Sequence, residues 1–336
     1  GAQRKALLDE LVAGQIDILV GTHAIIQGNV GFKDLRLAII DEQHRFGVEQ
    51  RSALREKGFN PHMLVMTATP IPRTLALTLY GDLDLSIIDE MPPGRKPIKT
   101  RWLTPQERER AYSFIKSQIQ KGRQAFIICP LVEESEKTEA RSAIEEHERL
   151  QKQVFFRLNL GLLHGRMKSA EKEKVMKAFK DQKTQILVST SVVEVGIDVP
   201  NASVMLIEGA NRFGLAQLHQ FRGRVGRGQH DSFCLLLADK VTTEAKERLQ
   251  AVQDTTNGFE LAESDLKMRG PGEFFGTRQS GLPDLKLVQL TDVKLLELAR
   301  EEAQIIFEKD ENLDQPQHRL LARQVENFWN NKSDLS

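Results

Sequence analysis

Cysteine is scarce in this chain of 336 residues, and only Cys129 and Cys234 are present. Each sits in an apolar run, AFIICPL and SFCLLLA, without the paired spacing of a zinc site, so both are read as buried reduced thiols. Long apolar runs are missing too. None reaches the ~18 residues that a membrane span requires. The opening stretch GAQRKALLDELVAGQ has no apolar signal core, so the expectation is a cytoplasmic protein with no membrane partner. The same stretch lacks an initial Met and starts inside a helical pattern, as a portion of a longer parent would. Formal net charge is zero, which argues neither for nor against nucleic acid; any such surface must be local. Low-complexity tracts are absent, and so is any internal repeat beyond a similarity between two halves. What remains is 40% hydrophobic and 28% charged. That is an ordinary soluble globular balance, in a chain long enough for two or three domains.

Short apolar runs alternate with amphipathic segments. IDILV (16–20), LAII (37–40), MLVMT (63–67) and LSII (85–88) are read as buried strands of a first block. MPPGRKP, residues 91–97, follows; its prolines and glycine make a linker. A second block carries strand candidates at 125–129, 160–163, 186–189, 204–207 and 233–237, with helical segments at 106–121 and 170–179. The charge-rich stretch 133–153 is read as an exposed helix or loop. Alternating strands and helices imply parallel α/β sheets, here in two lobes. Residues 241–252 read as a helix, a glycine-rich charged stretch follows, and the tail has helical spacing at Leu296, Ala299, Ala303 and Ile306 and again over 319–329.

Four stretches carry chemistry, three of them at strand ends. In LAIIDEQHRFG, a strand delivers Asp41 and Glu42 to the C-terminal edge of a parallel sheet, where α/β folds bind ligands. Phosphoryl transfer needs a divalent metal and an oriented water. Asp41 suits Mg²⁺, held through a water, and Glu42 suits activation of the attacking water. In TATPIPRT, Thr67 and Thr69 suit a hydrogen-bond relay from that edge. STSVVEVGIDVPNA offers hydroxyls at a strand end, then Gly196 and Asp198, suited to phosphate and ribose contacts. QLHQFRGRVGRG crowds Arg222, Arg224 and Arg227 among glycines, with no acid from Gly209 to His230. Crowded arginines repel unless an anion is near, and the planar guanidinium fork suits phosphate.

The order GTHAIIQ, DEQH, TATPIPRT, LLHGRMKSAEKE, STSVVEVGIDVPNA, QFRGRVGRG resembles that of superfamily 2 helicases and translocases. DEQHRFGVEQR, PPGRKP, CPLVEESEK, GLAQLHQFRGRVGRG and MRGPGEFFGTRQSGLPD together are similar to the RecG family of branched-DNA helicases, over residues 1 to about 290. A neighbouring family, the transcription-repair coupling factors, usually reads DEEH, and Gln43 favours RecG. The resemblance implies two RecA-like parallel-sheet lobes, the first truncated and the second complete, followed by a helical hairpin and tail. It implies a division into the C-terminal part of lobe 1 (1–91), a linker (92–97), lobe 2 (98–240), a translocation hairpin and loop (241–290) and C-terminal helices (291–336). It implies ATP and Mg²⁺ as cofactors, with Asp41 and Glu42 as the metal and water-activating pair. Gln43, His44, Thr67 and Thr69 would couple nucleotide state to the lobe interface. Arg224 and Arg227 would be the finger candidates, with Gln220 also facing the phosphates and Gly196 and Asp198 approaching the nucleotide. Thr22, His23, His164, Arg166 and Thr190 would lie nearer the DNA backbone. Arg269, Glu273 and Gln279 would belong to the translocation hairpin.

The sequence departs from the family in two respects. The family's phosphate cradle is G-x-x-x-x-G-K-[ST], and here no Gly is followed by Lys. The family's N-terminal wedge domain is also not represented. The expectation is therefore the motor portion of a double-stranded-DNA translocase that remodels stalled forks and Holliday junctions, inactive as this chain alone. The parent would be a monomer acting on branched DNA. The tail is read as packing on lobe 2, the alternative being a dock for a partner such as single-strand-binding protein. Two other readings stand beside this one. One is an ATPase-dead DNA-binding or regulatory protein, which a start codon near Gly1 would favour over an in-frame GKT or GKS loop upstream. The other is a coupling-factor-like translocase.

Overall fold

The structure is a computed structural model that describes residues 2–26, 30–42, 53–54, 57–59, 61–71, 84–130, 136–194, 198–239, 241–269 and 293–333. The chain divides into two compact units, Gly1–Pro70 and Ile71–Ser336.

In the first unit, α1 (Ala2–Ala13) stops at Gly14, whose φ of +73° closes the helix in the left-handed conformation. The Gly14 and Gln15 amides return to the carbonyls of Leu11 and Glu10 at 3.1 and 2.9 Å. Strands β1 (Leu37–Ile40) and β2 (His62–Val65) pair in parallel, with Ile40 opposite Val65. The expected strands at 37–40 and 63–67 are thus present, but they are not fully buried. Ala38 and Ile40 point inward while Leu37, Ile39 and Leu64 are exposed, because successive side chains of a strand face opposite ways. The expected strand at 16–20 does not form, and Ile18 and Val20 are exposed. An apolar run becomes a strand only where a neighbour completes its ladder, and among the described residues none lies beside it.

The second unit is built on a six-stranded sheet of β3 (Lys99–Leu103), β4 (Gln124–Ile128), β5 (Leu160–Leu163), β6 (Ile186–Ser189), β7 (Ala202–Ile207) and β8 (Phe233–Leu237). Its order is β3-β8-β7-β4-β6-β5, and every described pairing is parallel. All five residues of β4 and all six of β7 are buried, the mark of central parallel strands covered on both faces. Alternation sorts them. Phe126 and Ile128 pack with Phe179 of α4 (Ser169–Lys180), with Leu218 and Phe221 of α5 (Leu215–Arg222) and with Leu249 of α6 (Thr243–Asp254). Ala125 and Ile127 pack on the other face with Tyr112 and Ile115 of α2 (Arg108–Gln120) and with Leu150 and Phe155. Leu150 opens a π-turn, Leu150–Val154, that ends α3 (Glu136–Arg149).

All five strands expected in this block are present, and β3 is an addition. Residues 85–88 form no strand; Ile87 and Ile88 are exposed. Helices α7 (Gly258–Arg269), α8 (Val293–Lys309) and α9 (Arg319–Ser333) follow the sheet. No helix among the described residues is long and apolar enough to cross a membrane.

Candidate nucleotide and nucleic-acid site

The β1–β2 pairing places two of the expected stretches side by side. Ile40 and Val65 end adjacent strands, and the Met66 amide donates to the Ile40 carbonyl at 2.8 Å. Asp41–Glu42 and Thr67–Thr69 therefore leave one edge of one sheet together. Asp41 is exposed, and its Oδ1 accepts the Glu42 amide at 2.9 Å. Glu42 has φ of +54°, in a region that residues with a Cβ rarely occupy. Such backbone geometry clusters where a site holds a side chain in a set direction. The Thr67 and Thr69 hydroxyls lie 2.7 Å apart, and the Thr69 amide donates to Thr67 Oγ1 at 3.2 Å. Thr22 is exposed and accepts, through its carbonyl, the Ile25 amide of a short 3-10 turn that begins at His23. Gln43 and His44 lie outside the described residues.

In the second unit, β5 and β6 end together, and the Thr190 amide donates to the Leu163 carbonyl at 3.2 Å. His164 and Thr190 are thereby neighbours at the sheet edge. Thr190 is buried, and neither its hydroxyl nor His164 Nδ1 finds a partner among the described residues. Burial, helped by Lys172 and Arg166, lowers the His164 pKa, so this ring stays neutral. Arg166 is exposed in the turn that follows.

The arginine segment separates a buried Arg222 from an exposed Arg227. Arg222 is buried. Its Nη1 donates to the carbonyls of Val252 and Thr255 at 2.8 and 2.7 Å, and its Nη2 approaches His219 Nδ1 at 2.9 Å. The reading of Arg222 as one of a crowd seeking an anion is therefore corrected: it clamps the end of α6, where a buried guanidinium is satisfied by carbonyls. Arg227 is exposed; its Nε donates to the Gly223 carbonyl at 3.3 Å and its Nη1 lies 3.5 Å from Asp198. A Cβ at Gly228 would meet the Pro200 carbonyl oxygen at 2.3 Å. Only glycine lets the two loops approach this closely, and that approach brings Asp198 to Arg227. Gln220 and Arg224 are half-buried on and just after α5. Gly196, Glu273 and Gln279 lie outside the described residues, and Arg269 is described only as the last residue of α7.

His219 gives a pH prediction. Burial, then the nearby Arg222 and Arg95 charges, depress its pKa to about 4. The folded value is below the unfolded ~6.5, so this stabilisation is full above pH 6.5. It is lost as pH falls toward 4, at up to ~1.4 kcal/mol per pH unit. Urea midpoints taken between pH 7.5 and 4.5 should fall with pH, and more steeply than those of His219→Gln; equal slopes would contradict it.

Sequence reasoning missed a second feature at this edge, a cavity of about 500 Å³ lined by Arg108, Cys129, Glu146, Glu208, Arg212 and Asp239 among others. Arg108 pairs with Glu208 at 2.9 Å and Asp239 at 3.1 Å. The Tyr112 hydroxyl donates to Glu208 at 2.9 Å and accepts from Arg149 at 2.7 Å. Burial pushes the Glu208 carboxyl up, against the pull of Arg108. Arg108 and Tyr112 share α2, but Glu208 follows β7 and Arg149 ends α3, so no single spacing announces the set.

Parallel RecA-like lobes, with acids and hydroxyls at strand ends and an arginine segment after a short helix, define the class: this is helicase-motor architecture. Family models agree along the chain. The DEAD/DEAH box helicase model matches residues 1–78, the helicase conserved C-terminal domain 107–229, and the ATP-dependent DNA helicase RecG, domain 3, C-terminal model 255–336. ATP-dependent DNA helicase RecG of Synechocystis sp. is 55% identical over 93% of this chain and 38% of that protein. RecG of Bacillus subtilis is 52% identical over 97% of this chain and 48% of that protein. A solved structure of RecG bound to a three-way DNA junction has a TM-score of 0.67 and 49% identity, covering 88% of this chain and 38% of that one. The chain belongs to the RecG helicase family and spans less than half the length of these relatives.

Proposed function

We propose that this chain is the motor portion of an ATP-dependent double-stranded-DNA translocase that remodels stalled forks and Holliday junctions. The observation that carries the reading is the shared exit of Asp41–Glu42 and Thr67–Thr69 from one sheet edge. That arrangement suits a carboxylate pair for metal and water beside a hydroxyl relay. The RecG-type model over residues 255–336 favours this family over the coupling factors. Asp41 and Glu42 act on the hydrolytic water and its metal; Gln43, His44, Thr67 and Thr69 relay the outcome. Gln220, Arg224 and Arg227, with Gly196 and Asp198, form the phosphate-facing surface of the second lobe. Thr22, His23, His164, Arg166 and Thr190 serve the DNA side, and Arg269, Glu273 and Gln279 the translocation hairpin. The functional division runs 1–91, 92–97, 98–240, 241–290 and 291–336.

Asp41, exposed at its strand end, fits Mg²⁺, and the exposed Arg227 by itself fits a phosphate group. Among the described residues no group of three or more His, Cys, Asp or Glu forms a metal cage. Mg²⁺ at Asp41 would then be held largely by water and phosphate oxygens, as is usual for that ion. Glu42 takes the proton from water as it attacks, while Arg224 and Arg227 offset charge developing on the phosphate oxygens. The motor works as a cytoplasmic monomer on branched DNA, with the tail packing on lobe 2; a dock for single-strand-binding protein is the alternative for that tail.

The test uses the polypeptide as its gene encodes it and a fluorescently labelled three-way junction. ATP-dependent strand rearrangement is expected on the junction and not on linear duplex of equal length. Equal action on both, or action without ATP, would defeat the reading.

A further inference from the structure

Arg95 lies in the linker, outside the sets assigned above to nucleotide, DNA and coupling. Its position is built into the sequence Pro92-Pro93-Gly94-Arg95. The Arg95 amide donates to the Pro92 carbonyl at 3.2 Å, and Gly94 has φ of +78°. Proline second and glycine third suit a turn that needs positive φ at its third residue. Immediately after it, Ile98 lies on the arginine segment: a Cβ at Gly226, itself at φ +79°, would meet Ile98 Cγ1 at 2.9 Å. The Lys99 amide then enters the sheet by donating to the Ser232 carbonyl at 2.9 Å. Arg95 is thus held over the loop from both sides.

Its guanidinium converges with that of Arg227. Arg95 Nη2 and Arg227 Nε both donate to the Gly223 carbonyl, each at 3.3 Å. Arg95 Nε is buried and has no partner among the described residues. Asp198 lies 3.5 Å from Arg227 Nη1 and is within ion-pair range of Arg227 alone among the described residues. Two guanidinium groups therefore share one carbonyl, and the exposed acid beside them pairs with Arg227 alone. Their mutual repulsion and unfilled hydrogen-bonding capacity are what a bound oxyanion relieves. Consistent with this crowding, burial and then the Arg227 charge lower the Arg95 pKa.

We propose that Arg95 and Arg227 together hold a phosphate oxyanion, so that the linker itself senses whether that phosphate is present. The pairing stands on geometry; only the source of the phosphate, nucleotide or DNA backbone, rests on the motor reading above. The first arm titrates inorganic pyrophosphate into this chain by calorimetry. Arg95→Ala is expected to weaken binding at least about fivefold, and Arg95→Lys, which keeps the charge but loses the fork, less. The second arm uses the gene-encoded polypeptide. A raised KM for ATP with unchanged kcat and unchanged junction affinity assigns the phosphate to the nucleotide. A salt dependence of junction binding reduced by about one phosphate contact, with KM unchanged, assigns it to DNA. If Arg95→Ala melts early, Arg95→Lys replaces it in every arm. Pyrophosphate affinity, ATP KM and junction affinity all within twofold of wild type would overturn the proposal. A wild-type polypeptide that hydrolyses no ATP would defeat the motor reading instead, leaving the pyrophosphate arm to decide on Arg95.

Discussion

Glu42→Gln, made in the polypeptide as its gene encodes it, is expected to lower kcat for ATP hydrolysis by about 10²–10⁴-fold with nucleotide affinity nearly unchanged. Glutamine keeps the length and shape of the side chain and cannot accept the proton of the attacking water. Leu37–Ile40 is a strand because β2 completes its ladder, and the chain leaves it at Asp41. Glu42 then takes φ of +54°, a conformation that costs on the order of 1 kcal/mol or more for a residue with a Cβ. Asp41 holds it there by accepting the Glu42 amide at 2.9 Å. Glutamine bears the same backbone cost, so the melting temperature should stay within about 2 °C of wild type. Rates from a coupled assay, set beside a melting curve, separate chemistry from folding. Turnover above a tenth of wild type would remove Glu42 from the water-activating role.

Arg227→Ala should lower ATP turnover by about 10³-fold or more, the range of residues that neutralise charge on a transferring phosphoryl group. Arg227→Lys should recover only part of the loss, because an ammonium lacks the planar fork. Stability should barely respond. Arg227 makes a 3.5 Å ion pair with an Asp198 side chain that is 62% exposed, and such pairs contribute ~0–1 kcal/mol. Arg222 lies five residues earlier in the same segment, and its buried fork caps Val252 and Thr255; its loss would act on folding. The contrast is measurable in one pair of variants. If Arg227→Ala melts as wild type does and keeps its rate, phosphate stabilisation by Arg227 is excluded.

Legibility followed burial. AFIIC, ILVS and FCLLL could be read as strands because covered parallel strands are apolar on both faces, and Phe126, Leu187 and Leu236 are indeed fully buried. KTRWL was missed for the opposite reason. As the sheet's edge, β3 keeps Lys99 and Arg101 exposed, so its composition does not separate it from a loop. IDILV and LSII failed because an apolar run states a preference and not a partner. The chemical stretches were legible where residues adjacent in sequence stay adjacent in space, as with Asp41–Glu42 and Thr67–Thr69. Arg222 misled because its acceptors, Val252 and Thr255, are backbone carbonyls about thirty residues away. The Arg108–Glu208–Tyr112–Arg149 network joins α2 to Glu208 after β7 and to the end of α3, so only its Arg108–Tyr112 part is local in sequence.

Steady-state ATP hydrolysis by the gene-encoded polypeptide, with and without a three-way DNA junction, tests the central claim most directly. Hydrolysis that the junction stimulates, and that Glu42→Gln and Arg227→Ala each abolish without loss of the folded state, is the result predicted here. Hydrolysis indifferent to the junction, or surviving both substitutions, would contradict the motor reading of the carboxylate pair and of the arginine segment.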